Sequence, residues 1–140
     1  MSEPVKFHFK VDGENFTMAG QASVAVKKGL RQLGISPEVI RKVAIAMYEG
    51  EINMVIHAGG GDADVFIYED MIEIVLIDNG PGIANVELAM KEGFSTAPDQ
   101  IRSLGFGAGM GLPNMKNHTD YMNIETALGK GTKITMRVNF

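Results

Sequence analysis

The stretch SPEVIRKVAIAMYEGEINMVIHAGGG, residues 36 to 61, decides the fold. Ser36 is a favourable residue to cap a helix, Pro37 fits the first helical turn, and Glu38 interacts favourably with the positive end of the helix dipole. The sequence predicts a helix from this point to about His57, followed by a run of glycines that ends it. The middle of this helix is apolar on nearly every side, which is typical of a buried helix.

Three polar residues of this helix, Glu49, Asn53 and His57, follow one another at intervals of four. Each is displaced by only about 40° around the helix axis, so they share one side, whereas Glu51 points roughly 160° away from Glu49. A carboxylate in an apolar helix is costly unless it is paired or used. A partly solvated structural network is the alternative for Glu49 and Asn53, and a capping or satisfied polar role is the alternative for His57. Gly50 lowers helix stability by about 1 kcal/mol relative to alanine, which close packing of the backbone would explain.

The hydrophobic pattern outside this helix predicts several further elements. The apolar run Ile74–Ile77 is typical of a central strand, and the two residues Glu69 and Asp70 form a turn between two strands. The predicted strands are Val5–Val11, Ala63–Tyr68, Met71–Ile77, Tyr121–Thr126 and Thr132–Val138, and the other predicted helices are Ala19–Leu33, Asn85–Lys91 and Met110–Asn117.

The motif IDNGPGI, residues 77 to 83, directly follows the predicted central strand. Asp78 at a strand end can accept a hydrogen bond from a ligand amine, and Gly80 and Gly82 let a flat group approach the backbone. A plain turn is the alternative, because Asn-Gly and Pro-Gly are turn dipeptides.

A glycine-rich motif, GFGAGMGL at residues 105 to 112, leads into a helix. Its alternating glycines leave backbone amides free, and the helix start adds a positive dipole end, which suits phosphates. Met110 stands where the third glycine of a dinucleotide fingerprint would be, and Lys130 is followed by glycine rather than by the serine or threonine of a P-loop. A flexible hinge is the alternative for this motif.

Composition narrows the classes of function. The 140 residues suit one domain, and 13 basic against 17 acidic side chains argue against a general nucleic-acid binder. Cysteine is absent, which excludes disulfides, zinc-cysteine sites and cysteine nucleophiles. No apolar run is long enough for a membrane span, and the first residues lack the apolar core of a signal peptide, so we expect a cytoplasmic protein that does not bind membranes.

The order of these motifs resembles that of the GHKL ATP-binding superfamily, which includes gyrase-type ATPases, heat-shock chaperones, histidine kinases and MutL-type proteins. The resemblance covers residues 36 to 140 and, more loosely, the whole chain. It implies an α+β fold of the GHKL (Bergerat) type: a two-layer α/β sandwich with a mixed, mostly antiparallel sheet covered by helices on one face. It also implies that residues 1–140 form a single histidine-kinase-like ATP-binding domain.

A module of this size, with the motifs GAGMGLPNMKNHTD and GKGTKI, is similar to the bacterial anti-sigma factor and switch-protein serine/threonine kinases. The resemblance implies a transcription regulator that uses ATP and Mg²⁺ to phosphorylate an antagonist protein, binds that protein or a sigma factor, and makes no direct contact with nucleic acid. A nucleotide-dependent binding switch without turnover, or an ATP-binding subunit of a larger assembly such as a redox enzyme, is the alternative. The edge of the strand Val5–Val11 could also pair across a two-fold axis in a homodimer.

The resemblance gives each site residue a role. Glu49 would be the general base that polarises a serine hydroxyl or a water, and Asn53 would coordinate Mg²⁺. Asp78 would bind the adenine amine with support from Thr132, and Gly82 would let the base approach. The rest of the nucleotide-binding set is Gly80, Ile83, Gly105, Gly107, Ala108, Gly109, Met110, Gly111, Leu112 and Lys116.

Within that set, the backbone amides of Gly107, Gly109, Gly111 and Leu112 would bind the phosphates. Lys116 would reach a phosphate as well, with a solvated surface lysine as the alternative. Residues 94 to 104 would form a lid over the nucleotide. Two departures from the family pattern bear on catalysis rather than on ATP binding: a glycine follows the presumed base, and no arginine can be assigned to the γ-phosphate.

Overall fold

The structure is a computed structural model that describes residues 4–12, 20–55, 59–83, 90 and 111–140. Outside the described residues therefore lie the predicted helix Asn85–Lys91 apart from residue 90, the predicted lid at residues 94–104, His57, and the glycines Gly105, Gly107 and Gly109. The described elements are β1 (Val5–Asp12), α1 (Gln21–Gln32), α2 (Pro37–Asn53), β2 (Gly60–Ile67), β3 (Met71–Asp78), α3 (Gly111–Asn117), β4 (Tyr121–Ala127) and β5 (Gly131–Asn139).

The five described strands form one sheet in the order β1-β2-β3-β5-β4. All of their pairings are antiparallel, so the parallel pairing that a mixed sheet would contain does not occur among the described strands. β3 lies at the centre, as its apolar sequence predicted. The Glu69-Asp70 turn joins β2 to β3 and is closed by a hydrogen bond from the Tyr68 amide to the Met71 carbonyl (2.8 Å).

The described residues on one face of the sheet are buried, and those on the other face are more exposed. Along β3, Ile72, Ile74 and Leu76 are buried, whereas Val75 is half-buried and Ile77 is exposed. The buried side of the sheet packs against the helices, and the core includes Val26 and Leu30 of α1, Val43 and Met47 of α2, Met115 of α3, and Met136 and Val138 of β5. The predicted two-layer arrangement, with helices on one face, is thus confirmed for the described elements.

Helix α2 begins as the sequence predicts. The Ser36 hydroxyl accepts a hydrogen bond from the Val39 amide (3.4 Å), and Pro37 occupies the first turn. The regular helix ends at Asn53 and the next two residues form a wider π-type turn, while the predicted end at His57 lies outside the described residues. Close packing explains Gly50: a Cβ there would lie 2.2 Å from Leu76 Cδ1 in the core.

Glu51 is a buried carboxylate, with only 2% of its surface exposed. Its two oxygens accept hydrogen bonds from the amides of Gly20 (3.0 Å), Ala22 (3.2 Å) and Ser23 (2.6 Å) at the start of α1. The N-cap residue of α1 is Gly20, which has no side chain to supply this cap. The carboxylate of α2 therefore satisfies the first amides of α1 and joins the two helices.

None of the helices that the structure describes is both long and apolar enough to cross a lipid bilayer.

Candidate nucleotide site

Asp78 and Thr132 lie opposite each other at one end of the sheet. Asp78 ends β3, and Thr132, near the start of β5, is its partner in the strand register. Asp78 Oδ1 accepts a hydrogen bond from the Gly80 amide (2.9 Å), which fixes the turn that follows. Its second oxygen has no hydrogen-bond partner within the described ranges, so it can accept a hydrogen bond from a ligand amine.

A threonine that the sequence analysis missed completes this region. The Thr126 hydroxyl accepts a hydrogen bond from the Ile83 amide (2.9 Å), donates to the Gly131 carbonyl (3.2 Å) and lies 2.9 Å from the Thr132 hydroxyl. With Thr126 donating to the carbonyl, Thr132 is the donor between the two hydroxyls. The signal that could have found Thr126 is the hairpin register, which places it opposite Thr132.

Two glycines of this region are required by the backbone around them. Gly82 has a φ of 81° and Gly131 has a φ of 92°. A Cβ would lie 2.4 Å from the Ala127 carbonyl oxygen at Gly82, and 2.1 Å from the Asp78 carbonyl oxygen at Gly131. Packing between the loop after β3 and the β4–β5 hairpin therefore accounts for both glycines. The role of Gly82 toward an adenine base stays a prediction.

Glu49 and Asn53 lie on the same side of α2, facing α3. The Asn114 side-chain amide donates to Glu49 Oε1 (3.4 Å), and the Asn53 amide donates to Met115 Sδ (3.9 Å). Both residues are half-buried. The second oxygen of Glu49 and the amide oxygen of Asn53 have no hydrogen-bond partner among the residues that the structure describes. The arrangement leaves one carboxylate oxygen and one amide oxygen free for a ligand.

The helix end that carries Asn53 lies close to Asp78. Gly61 lies between them: a Cβ on this glycine would be 2.9 Å from Met54 Sδ and 3.2 Å from the Asp78 Cα. The absence of a side chain at Gly61 therefore lets the end of α2 and the end of β3 approach each other. The structure thus brings Glu49, Asn53, Asp78 and Thr132 to one end of the molecule, where α2 and β3 both finish.

Helix α3 supplies the last described part of the site. Leu112 and Met115 are buried against the core, while Lys116 is exposed in the last turn. Gly111 is the first residue of α3. Gly105, Gly107, Ala108, Gly109 and Met110 lie outside the described residues, and Gly80 and Ile83 lie in the turn after β3.

Comparison with known protein families gives the class to which this fold and site belong. Residues 38–140 match the family described as Histidine kinase-, DNA gyrase B-, and HSP90-like ATPase. The chain belongs to this family, and the predicted GHKL superfamily is confirmed. The family's description names an ATPase, so ATP is the nucleotide that the site is expected to take.

Individual relatives indicate a narrower group of proteins than the family description does. The anti-sigma F factor of Clostridium beijerinckii is 32% identical over 97% of this chain and 92% of its own length. The anti-sigma F factor of Clostridium acetobutylicum is 34% identical, and that of Caldanaerobacter subterraneus is 33% identical over 94% of this chain and 89% of its own length. The chain therefore resembles anti-sigma F factors over nearly its whole length.

Two solved structures support the fold. The mycobacterial sensor histidine kinase MprB aligns with a TM-score of 0.55 at 19% identity, covering 96% of this chain and 97% of that one. The SiaB-SiaC complex from Pseudomonas aeruginosa aligns with a TM-score of 0.57 at 9% identity, covering 99% of this chain and 91% of that one. At these identities the likeness concerns the fold, and the predicted α+β class is confirmed.

Proposed function

We propose that this protein is a cytoplasmic, ATP-dependent protein serine/threonine kinase of the anti-sigma factor type, which regulates transcription by phosphorylating an antagonist protein and by binding a sigma factor. The observation that carries the proposal is the pair Glu49 and Asn53, one helical turn apart and held against α3, each with one oxygen that has no partner among the described residues. The curated relatives named anti-sigma F factor support it, since they cover nearly the whole chain.

The described residues fit a magnesium-bound nucleotide. The amide oxygen of Asn53 is a ligand of the kind that Mg²⁺ takes, and Mg²⁺ needs few protein ligands because it keeps several waters. The free oxygen of Asp78 suits the exocyclic amine of adenine, and Thr132 lies beside it on the neighbouring strand. The amides of Gly107, Gly109, Gly111 and Leu112 remain our predicted phosphate ligands, with Lys116 as a further candidate.

Bound MgATP would supply a transferable γ-phosphoryl group. Glu49 accepts the proton of the target serine or threonine hydroxyl. The oxygen of that hydroxyl then bonds to the γ-phosphorus, while the bond between the γ-phosphorus and the oxygen that leaves with ADP breaks. Asn114 orients this carboxylate by donating to one of its oxygens, which leaves the other for the hydroxyl. Asn53, one helical turn from Glu49, would hold the metal, so the base and the metal ligand would be fixed on the same helix.

The proposal is tested by incubating the protein with γ-labelled ATP, Mg²⁺ and a lysate of its source cell. We expect label on a serine or threonine of another protein, and none when Asn53→Ala replaces the natural chain. Label that is equal with and without the added protein would contradict a kinase. Partner binding that changes with nucleotide while no label transfers would instead support the binding-switch alternative.

The sheet supports a proposal about assembly as well. β1 is an edge strand, and its outer edge pairs with no other described strand. We propose that two copies pair through this edge across a two-fold axis. Sedimentation should then give twice the chain mass of 15.1 kDa, and a monomer at micromolar concentration would contradict the homodimer.

A further inference from the structure

A groove of about 430 Å³ lies between α1 and α2, at the opposite end of α2 from Asn53. Its floor is apolar: Ile40 is buried, and Ile35, Ala44 and Ile45 are half-buried. Ile40 and Ala44 are one helical turn apart and Ile45 follows Ala44, so the apolar floor continues along α2. We call this feature the α1–α2 groove, and none of the roles proposed above uses it.

The rim of the α1–α2 groove is positively charged. Lys27 and Arg31 come from α1 and Arg41 comes from α2. Among the described residues, none of the three lies within 4.0 Å of a carboxylate oxygen. Residues 21–45 contain five basic side chains and one acidic side chain, Glu38, which pairs with Lys42 at 3.9 Å. The rim therefore carries positive charge that no carboxylate of the described residues pairs with, on a chain whose net charge is -4.

We propose that the α1–α2 groove binds an acidic amphipathic helix of a partner protein. The apolar face of such a helix would cover Ile35, Ala44 and Ile45, in the helix-in-groove mode of recognition. Carboxylates beside that face would pair with the cationic side chains of the rim, and the two arginines favour bidentate contacts with them. The inference rests on the proposed function only in taking the ligand to be a protein, and it requires no bound nucleotide.

Charge and shape favour a protein helix over an anionic membrane. A membrane surface attracts clusters of basic residues on a surface that can lie flat against it, whereas this rim has three cations around a concave floor. The net charge of -4 opposes adsorption of the whole chain to an anionic surface. A single acidic helix can pair with the three cations of the rim while the rest of this protein, which is net negative, stays away from the negative charges of its partner.

The test uses a labelled peptide of about 16 residues, roughly 24 Å long as a helix, with leucines on one face and glutamates beside them. Two matched peptides replace its glutamates with lysines or scramble its order at constant composition. Fluorescence anisotropy with the full chain should show binding of the acidic amphipathic peptide alone. Arg41→Glu should weaken that binding at least tenfold, and Ile45→Gln should weaken it as well, whereas Lys133→Glu, a charge reversal on an exposed side chain of β5, should not.

Several results would overturn the proposal. These are no binding of the acidic peptide, equal binding of the scrambled peptide, or equal losses in Arg41→Glu and Lys133→Glu. Binding to phosphatidylglycerol vesicles that Arg41→Glu abolishes would assign the groove to a membrane instead. Titration of each variant with ATP separates this proposal from the kinase, because Arg41→Glu should leave nucleotide affinity unchanged.

Discussion

Glu49→Gln should lower phosphotransfer by about 100-fold or more and leave ATP affinity within a few fold. Glutamine keeps the shape of the side chain and an oxygen for the Asn114 amide, so the packing of α2 against α3 is preserved. It cannot accept the proton of the target hydroxyl, and the loss of a general base falls on the chemical step rather than on binding. The measurement is the rate of label transfer at saturating ATP, together with a nucleotide titration.

The matched control for this prediction is Glu38→Gln. Glu38 is an exposed glutamate in the first turn of the same helix, paired only with Lys42 among the described residues. Its substitution removes the same charge at the far end of α2 and should leave phosphotransfer unchanged. Equal rates for Glu49→Gln and the natural chain would remove Glu49 from the mechanism.

Glu51→Ala should destabilise the fold by about 3 to 5 kcal/mol. The substitution removes a buried carboxylate and leaves three amides at the start of α1 without their acceptor. The carboxylate also carries negative charge to the positive end of that helix. Because single domains of this size are stable by only about 5 to 15 kcal/mol, this loss would be a large part of the total. Urea unfolding followed by circular dichroism measures it.

Glu51→Gln gives a graded comparison, since one acceptor oxygen remains and the charge is lost. We expect an intermediate loss of stability, and almost none for Glu49→Gln, whose side chain is half-buried and accepts one long hydrogen bond from the residues that the structure describes. A urea concentration at the midpoint of unfolding that is the same, within error, for Glu51→Ala and the natural chain would contradict the capping role. Because Glu51 lies between Glu49 and Asn53 along α2, the same contact fixes the helix that carries the proposed site.

Local chemistry was sufficient to predict α2. The cap at Ser36, the proline after it and the apolar pattern depend on residues within one or two turns, and the structure shows that start. The spacing of four also placed Glu49 and Asn53 on one side, and they contact neighbouring residues of α3. The hairpin at Glu69-Asp70 was predictable for the same reason, because a turn and its flanking strands are local.

Contacts between distant parts of the chain could not be predicted from the sequence. Helical spacing showed that Glu51 points away from Glu49, but not that it meets the amides of α1, about thirty residues earlier. The packing of Gly50 against Leu76 and the place of β5 between β3 and β4 likewise depend on tertiary pairing. Thr126 was missed because its role depends on which residues face it across a hairpin and a loop.

The most direct test of the central claim is calorimetric titration of the folded protein with ATP in millimolar Mg²⁺. The account predicts saturable heat of binding, and at least tenfold weaker binding for Asp78→Asn, which loses the carboxylate facing Thr132. It also predicts weaker binding when Mg²⁺ is removed, since Asn53 then has no metal to hold. A titration of well-folded protein that shows no heat with any adenine nucleotide would contradict the nucleotide site and the function built on it.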